Sequence, residues 1–154
     1  DGKLGNLCAQ VLRLTGANVT ALGKHEDKLK LIKRSGVRTM LLSDWQSKPF
    51  DVVVEATGSA SGLELAMSAI RPRGTLVLKS TIAGEHRVSL APLVINEITV
   101  VGSRCGIFPP ALEALSEKTI SVTPMIEKIY PLSEGIEAVA HAGKPGACKI
   151  LLRP

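Results

Sequence analysis

The chain has 154 residues, 45% hydrophobic and 21% charged, which is enough for one globular domain with a core. Aromatic residues make up only 3%, so the core must consist of Val, Ile, Leu and Ala, which suits buried parallel strands covered by helices on both faces. The net charge is +5, but the 19 Lys and Arg are scattered without interleaved aromatics, which argues against nucleic acid and favours a small anionic ligand. No apolar run approaches the ~20 residues that cross a bilayer, so no membrane association is expected.

In the first half of the chain, helical and strand patterns alternate. The apolar spacing after residue 3 predicts a helix that ends at Gly16. A second helix carries acids in its first turn and bases in its last, which suits the helix dipole, and it stops at Gly36. The predicted elements are helix 4–14, strand 18–22, helix 26–34, strands 39–42 and 50–58, and helix 60–70, closed by the turn "RPRG" at 71–74.

The second half continues the alternation as far as residue 121 and then changes character. The predicted elements are strand 75–80, strand 86–90, helix 92–96, strand 97–103, helix 110–118, a strand within 125–133, helix 134–141 and a last strand within 144–154. Strands and helices in this order predict an α/β fold with a doubly wound parallel sheet. Right-handed crossovers place the carboxyl ends of all strands along one edge, where ligands bind.

Two glycines at the start of the chain raise the question of a phosphate-binding turn. Gly2 and Gly5 match the second and third glycines of G-x-G-x-x-G, whose first glycine and leading strand would precede Asp1. In that role Gly2 lets the backbone approach a diphosphate, Gly5 allows close packing of helix on sheet, and the helix N-terminus offers free N–H groups. Half a fingerprint is weak by itself, and an ordinary loop is the alternative. The strand-helix-strand order around it favours the dinucleotide interpretation.

The end of the second strand of such a fold selects the nucleotide. An acid there bonds the ribose 2′-hydroxyl and repels a 2′-phosphate. This chain has Gly23, Lys24 and His25 instead, so a small residue makes room and cations can pair with a 2′-phosphate. The pattern favours NADP over NAD. The alternative is that Lys24 is a solvated lysine and that Glu26 or Asp27 serves the ribose.

Several stretches together resemble a known family. "DGKLG", "GKHEDKLKLIKRSGV", "FDVVVEATGSASGLELAMSAIRPRGTLVLKS" and "EITVVGS" look like the cofactor domain of medium-chain dehydrogenases/reductases, the zinc-type alcohol dehydrogenase superfamily. The resemblance covers essentially the whole chain and is most specific over 51–80. It implies a Rossmann-like sheet whose first strand is missing from this chain. It also implies a dinucleotide-binding domain at 1–122 and a segment at 123–154 that returns toward an absent catalytic domain.

The resemblance also implies the residues that contact the cofactor. The diphosphate turn would include Lys3 and Leu4 beside the two glycines. Thr57 and Gly58 would approach the adenosine or the nicotinamide-side ribose, and Lys79, Ser80 and Thr81 would line the nicotinamide pocket. Gly102, Ser103 and Arg104 would lie beside the same pocket, with Arg104 able to reach a phosphate or the substrate, and Lys149 would lie near the diphosphate. Each has a plainer alternative: a helix cap near Ser59 or Ser61, edge loops, and exposed cations at Arg104 and Lys149.

The activity implied is hydride transfer between a nicotinamide cofactor and an alcohol, aldehyde or ketone. The catalytic zinc of this family and its ligands lie in an N-terminal domain that is absent here, so the fragment alone is expected to be inactive. The alternatives are a zinc-free quinone reductase-like enzyme and a non-catalytic nucleotide-binding module. Domains of this kind commonly pair through the sixth-strand edge, here "EITVVGS", which makes a homodimer an expectation.

Cysteines and histidines predict no metal site within the chain. The cysteines lie in no disulfide or metal-ligand spacing and are each expected to be small buried hydrophobes, which favours a reducing, cytoplasmic location. The chain begins with Asp, so targeting cannot be judged. The histidines show no ligand spacing to a cysteine, and we expect His86 in a strand and His141 on a helix surface. The cysteines are Cys8, Cys105 and Cys148, and the third histidine is His25.

Overall fold

The computed structural model describes residues 1–46, 48–82 and 87–154. They form two compact units, one made of Asp1–Leu42 with Phe108–Pro154 and the other of Ser43–Ile107. No helix in the described ranges is both long and apolar enough to cross a membrane.

Helices and strands alternate along the described chain. In chain order they are α1 (Lys3–Leu14), β1 (Thr20–Gly23), α2 (Glu26–Arg34), β2 (Arg38–Leu41), β3 (Phe50–Glu55), α3 (Ala60–Ala69), β4 (Ile70–Leu78), α4 (Ala91–Ile95), β5 (Thr99–Gly102), α5 (Phe108–Ser116), β6 (Ile126–Pro131), α6 (Gly135–Ala142) and β7 (Lys149–Arg153). Single turns of 3-10 helix lie at Leu42–Asp44, Thr123–Met125 and Leu132–Glu134.

The first unit contains two parallel strand pairs, β1 with β2 and β6 with β7. Its main core consists of Ala9, Leu29, Ile32 and Val37, and Ile32 is fully buried. Leu29 and Ile32 are three apart on α2 and therefore share the face that packs into this core. Gly16 and Gly36 end α1 and α2 with positive φ, a conformation that favours glycine.

The second unit is a three-stranded parallel sheet in the order β3-β4-β5. Its core consists of Ala66 and Met67 from α3 with Ile70 and Leu76 from β4. The Ser59 side chain caps α3 by accepting from the backbone N–H of Gly62 at 3.1 Å, so the helix-cap alternative for this loop is present in the structure. The carboxyl ends of the three strands lie at one edge.

The predicted α/β fold with parallel sheets is confirmed, and most element boundaries lie within two residues of the prediction. The core is largely aliphatic, as expected, although Met67, Met125 and Tyr130 also contribute. The expectation of strands buried on both faces does not hold for β5, where every residue is exposed. Among the described residues β5 pairs only with β4, and the side chains of Val100 and Val101 are exposed.

Two predicted elements differ from the structure. The turn at 71–74 lies inside β4, where four residues face a single residue of β3 between the paired positions Phe50–Ile70 and Val52–Thr75. The predicted turn is therefore a register irregularity with a positive φ at Arg73, and it does not end the strand. The strand predicted at 86–90 is not found at 87–90, because Leu90 has helical backbone angles and leads into α4. His86 lies outside the described residues.

The expectation of buried cysteines is also only partly met. Cys105 is exposed, because it lies in the loop after β5, while Cys8 and Cys148 are half-buried.

Candidate cofactor site

The N-terminus of α1 is open, as a diphosphate-binding turn requires. Gly2 is the N-cap in an extended conformation, and no side chain among the described residues caps it. The first intrahelical bond runs from the N–H of Asn6 to the Gly2 carbonyl at 2.9 Å, so the N–H groups of Lys3, Leu4 and Gly5 precede it. A Cβ atom added at Gly2 or Gly5 would meet nothing within 4 Å, so the described residues leave open space at Gly2 but do not show the close packing that was expected at Gly5. Uncapped amides beside open space fit an anionic ligand.

Two buried polar side chains hold α1 in place. The Gln10 amide donates to the Ser121 carbonyl at 3.0 Å and accepts from the Ser121 N–H at 2.7 Å. It also donates to the Asn6 side chain at 2.7 Å, and both residues are only 4% exposed. This pair was not predicted, because the apolar spacing marked the opposite face of α1 as the buried one, whereas Leu4 and Val11 on that face are exposed. Because buried amides need partners, the pair fixes the helix that carries the glycine turn.

The end of β1 is joined to Asp1, a residue outside the predicted site. The Asp1 carboxylate accepts from the backbone N–H groups of Lys24 at 2.6 Å and His25 at 2.8 Å. His25 Nδ1 lies 3.0 Å from the same oxygen. The structure thus brings the glycine turn and the Gly23–His25 corner together within the first unit.

In the second unit, side chains connect the loops that follow the three strands. Ser80, after β4, accepts from the Gly58 N–H after β3 at 2.8 Å. The Lys79 ammonium donates to the Arg104 carbonyl at 2.6 Å and to Ser103 Oγ at 3.3 Å. Five predicted residues therefore meet at the carboxyl edge of this sheet. Lys79 acts there as a tie between loops through its ammonium group.

A buried acid supports the first of these loops. Glu55 is 3% exposed at the end of β3, and its Oε1 accepts from the Thr57 N–H at 2.6 Å and from the Thr57 hydroxyl at 2.5 Å. Thr57 Oγ1 in turn accepts from the Ser59 N–H at 3.1 Å. Glu55 was visible in the sequence as the acid that ends an apolar strand, but its burial was not. It shapes the turn that presents Gly58, whose φ is +71°.

Gly102, Thr81 and Lys149 are predicted site residues that lie outside the side-chain contacts described above. Gly102 is the last residue of β5, opposite Leu78, and Thr81 is exposed after β4. Lys149 is exposed at the start of β7, opposite Ile126. In the described chain no hydrogen bond joins Lys149 or Thr81 to the other predicted site residues. Their roles stay predictions.

A third polar cluster lies in the C-terminal part of the first unit. The buried Tyr130 hydroxyl lies 2.9 Å from His141 Nδ1, and His141 Nε2 lies 2.9 Å from Glu127 Oε1. The N–H of Cys148 donates to Glu127 Oε2 at 2.6 Å. This bond above all, with hydrogen bonding and charge from His141 and charge from Lys3, lowers the pKa of the Glu127 carboxyl below its ordinary value of 4.5.

This cluster corrects the expectation for His141. It was expected on a helix surface, but its side chain is only 22% exposed, because it connects α6 to β6 through both ring nitrogens. Over 1–46, 48–82 and 87–154, no three His, Cys, Asp or Glu side chains come together in a way that could hold a metal ion. No metal ligand is therefore assigned to these residues.

Comparison with known proteins gives a consistent result. Residues 4–118 match the family model described as zinc-binding dehydrogenase. Across 99% of its length the chain is 29% identical to a sorbitol dehydrogenase of Halalkalibacterium halodurans and 29% identical to D-arabinitol dehydrogenase 1 of Uromyces fabae. It covers 50% and 49% of those proteins. The chain thus spans about half the length of the curated relatives it matches.

Solved structures show the same fold. A candidate zinc-binding dehydrogenase of Sinorhizobium meliloti bound to NADP aligns with a TM-score of 0.86 at 21% identity, over 99% of this chain and 50% of that one. A short chain alcohol dehydrogenase of Escherichia coli complexed with NADH aligns with a TM-score of 0.85 at 20% identity, over 99% and 50%. At these identities the likeness is one of fold.

Proposed function

The chain belongs to the zinc-binding dehydrogenase family, and from this premise we propose that it is the cofactor-binding part of an NAD(P)-dependent oxidoreductase that acts on polyols or related alcohols. The observation that carries the proposal is the joined carboxyl edge of β3, β4 and β5. Ser80 and Lys79 tie together there the loops that the sequence singled out. Ligands of parallel α/β sheets bind at this edge.

We assign the ends of the cofactor to different parts of the chain. The open N-terminus of α1 offers amides to the diphosphate. The loops at Thr57–Gly58, Lys79–Thr81 and Gly102–Arg104 are proposed to position the nicotinamide and its ribose. When bound, the nicotinamide ring carries the hydride at its C4 atom. The part of this chain is to bind the dinucleotide and to fix its orientation, and the Lys79 tie keeps two of the loops at a set separation.

The substrate class is proposed from the relatives named for sorbitol and D-arabinitol. Their names support a polyhydroxy alcohol and its carbonyl product over a quinone. The described residues offer no metal-ligand cluster, so the zinc expected for this family is proposed to lie with residues outside this chain. We retain 1–122 as the proposed dinucleotide domain and 123–154 as the segment that returns toward the catalytic part. Pairing of two copies through β5 stays a prediction.

The cofactor is a nicotinamide dinucleotide, NAD(H) or NADP(H). Lys24 and His25 favoured NADP in the sequence analysis, since cations can pair with a 2′-phosphate. The Asp1 carboxylate, however, bonds the backbone N–H groups of the same two residues, which argues against a 2′-phosphate at this corner.

Binding and turnover test the proposal in the longest natural polypeptide that contains this chain. Titration with NADH and NADPH, followed by nicotinamide fluorescence, should show saturable binding of at least one of them. Nicotinamide reduction should then be followed with sorbitol, arabinitol and a simple secondary alcohol. Failure to bind either dinucleotide would refute the proposed function, and turnover of quinones alone would refute the proposed substrate.

A further inference from the structure

The Asp1 carboxylate occupies the anion-binding groups at the end of β1. Its Oδ2 atom lies 2.6 Å from the Lys24 N–H nitrogen, 2.8 Å from the His25 N–H nitrogen and 3.0 Å from His25 Nδ1. The Asp1 side chain is only 15% exposed. Backbone amides at this corner, with an imidazole beside them, are the groups that a 2′-phosphate would need. In this protein they already bond an anion of the chain itself.

The Asp1 side chain packs directly against Gly23 at the end of β1. A Cβ atom at Gly23 would lie 2.6 Å from Asp1 Cβ and 2.7 Å from Asp1 Oδ2. Glycine at this position therefore makes room for the Asp1 side chain. The small residue was predicted to make room for a 2′-phosphate, and in the structure the Asp1 side chain uses that room.

Neighbouring charges do not restore a phosphate pocket. Lys30 Nζ lies 3.3 Å from Glu26 Oε1 and 3.6 Å from Asp27 Oδ1, so these two carboxylates of α2 already balance its charge. Lys24 is left as an exposed cation whose backbone N–H is taken by Asp1. A dianionic phosphate placed at this corner would meet a carboxylate at close range.

We propose that Asp1 determines cofactor choice and selects NAD(H) over NADP(H). The inference rests on the proposed function, since it concerns the same dinucleotide. Only Oδ2 of Asp1 takes part in hydrogen bonds among the described residues, which leaves Oδ1 as an acceptor for the ribose hydroxyls. An acid at the end of the second strand does this in NAD-binding sheets of this type. Here the glycine turn supplies the carboxylate in place of the strand.

The test compares Kd for NADH and for NADPH in the wild type, in Asp1→Asn and in Asp1→Ser, using the longest natural polypeptide that contains this chain. Asp1→Asn keeps the shape of the side chain and removes its charge. Asp44→Asn, which removes a charge from an exposed 3-10 turn, is the matched control. Nicotinamide fluorescence reports both ligands.

The wild type should bind NADH more tightly than NADPH by at least about tenfold, since a carboxylate and a phosphate would be neighbours in a partly desolvated corner. Both Asp1 variants should shift the ratio toward NADPH by about tenfold, and Asp44→Asn should leave it unchanged. Tighter binding of NADPH by the wild type would overturn the inference, as would an unchanged ratio in two variants that still bind NADH. If the wild type binds neither NADH nor NADPH, the proposed function is overturned instead. The wild-type ratio is informative even if a variant does not fold.

Discussion

Replacing Thr57 with Val tests whether the buried acid of the second unit supports the cofactor loop. The change keeps the shape of the side chain but removes the hydroxyl that lies 2.5 Å from Glu55 Oε1. Glu55 is 3% exposed, so its carboxylate would lose one donor without full access to water. It would keep the Thr57 N–H at 2.6 Å.

Hydrogen bonds to charged groups contribute roughly 1.5–3 kcal/mol. Thr57 itself is exposed, and water can replace part of the lost bond, which places the expected loss of unfolding free energy near the lower end, about 1.5 kcal/mol. Thr57→Ser keeps the hydroxyl and should recover most of that loss. The control is Thr99→Val on the exposed strand β5, which should change stability by less than about 0.5 kcal/mol.

Urea unfolding followed by circular dichroism measures these differences, and NADH titration measures their effect on the loop. A double-mutant cycle with Glu55→Gln should give a coupling of at least about 0.5 kcal/mol, because the two groups touch. Glu55 does not support the loop through the Thr57 hydroxyl if Thr57→Val is no more destabilising than Thr99→Val, or if Thr57→Ser does not recover stability.

Two further predictions concern acid stability and the core. The folded pKa of Glu127 is lowered, so its stabilising contribution is present above the ordinary value of 4.5 and is lost as pH falls through the folded pKa. Glu127→Gln should therefore flatten the fall in unfolding free energy below about pH 5, and Glu137→Gln, an exposed change on α6, should not; urea midpoints between pH 3 and 7 measure this. Leu76→Ala should cost about 2–5 kcal/mol, because Leu76 is 1% exposed in the β4 core, whereas exposed Leu112→Ala on α5 should cost far less; parallel urea unfolding compares the two.

Local pattern was sufficient to predict most of the fold. α2 was placed at its observed bounds, because its apolar spacing, its terminal charges and Gly36 all indicate the same helix. The parallel pairing followed from the alternation of elements, since a short loop cannot return a strand parallel to its neighbour. The carboxyl ends of three strands were predicted too far along the chain, because strands were expected at 50–58, 75–80 and 97–103 and β3, β4 and β5 end at Glu55, Leu78 and Gly102.

Contacts between residues that are far apart in the chain could not be predicted from the sequence. Lys79 looked like a pocket-lining cation, but its ammonium bonds the Arg104 carbonyl 25 residues away. Glu55 was seen only as an acid at a strand end, because burial depends on which elements cover it. The bulge at 71–74 needed the register against β3, which no local signal contains. These features depend on tertiary packing, and they lie next to the predicted site.

The meaning of Gly23 depends on which neighbour uses its space, and a single substitution separates the two interpretations. Gly23→Ala places a Cβ atom 2.6–2.7 Å from Asp1, so the Asp1 carboxylate must leave its donors on Lys24 and His25. If Asp1 excludes the 2′-phosphate, this variant should shift binding toward NADPH, as Asp1→Asn does, and the two changes together should not add, because both remove the same contact. If the space belongs to a 2′-phosphate, the added methyl should weaken NADPH binding. The two interpretations predict opposite signs for one measured ratio, and a shift toward NADH would overturn the role given to Asp1.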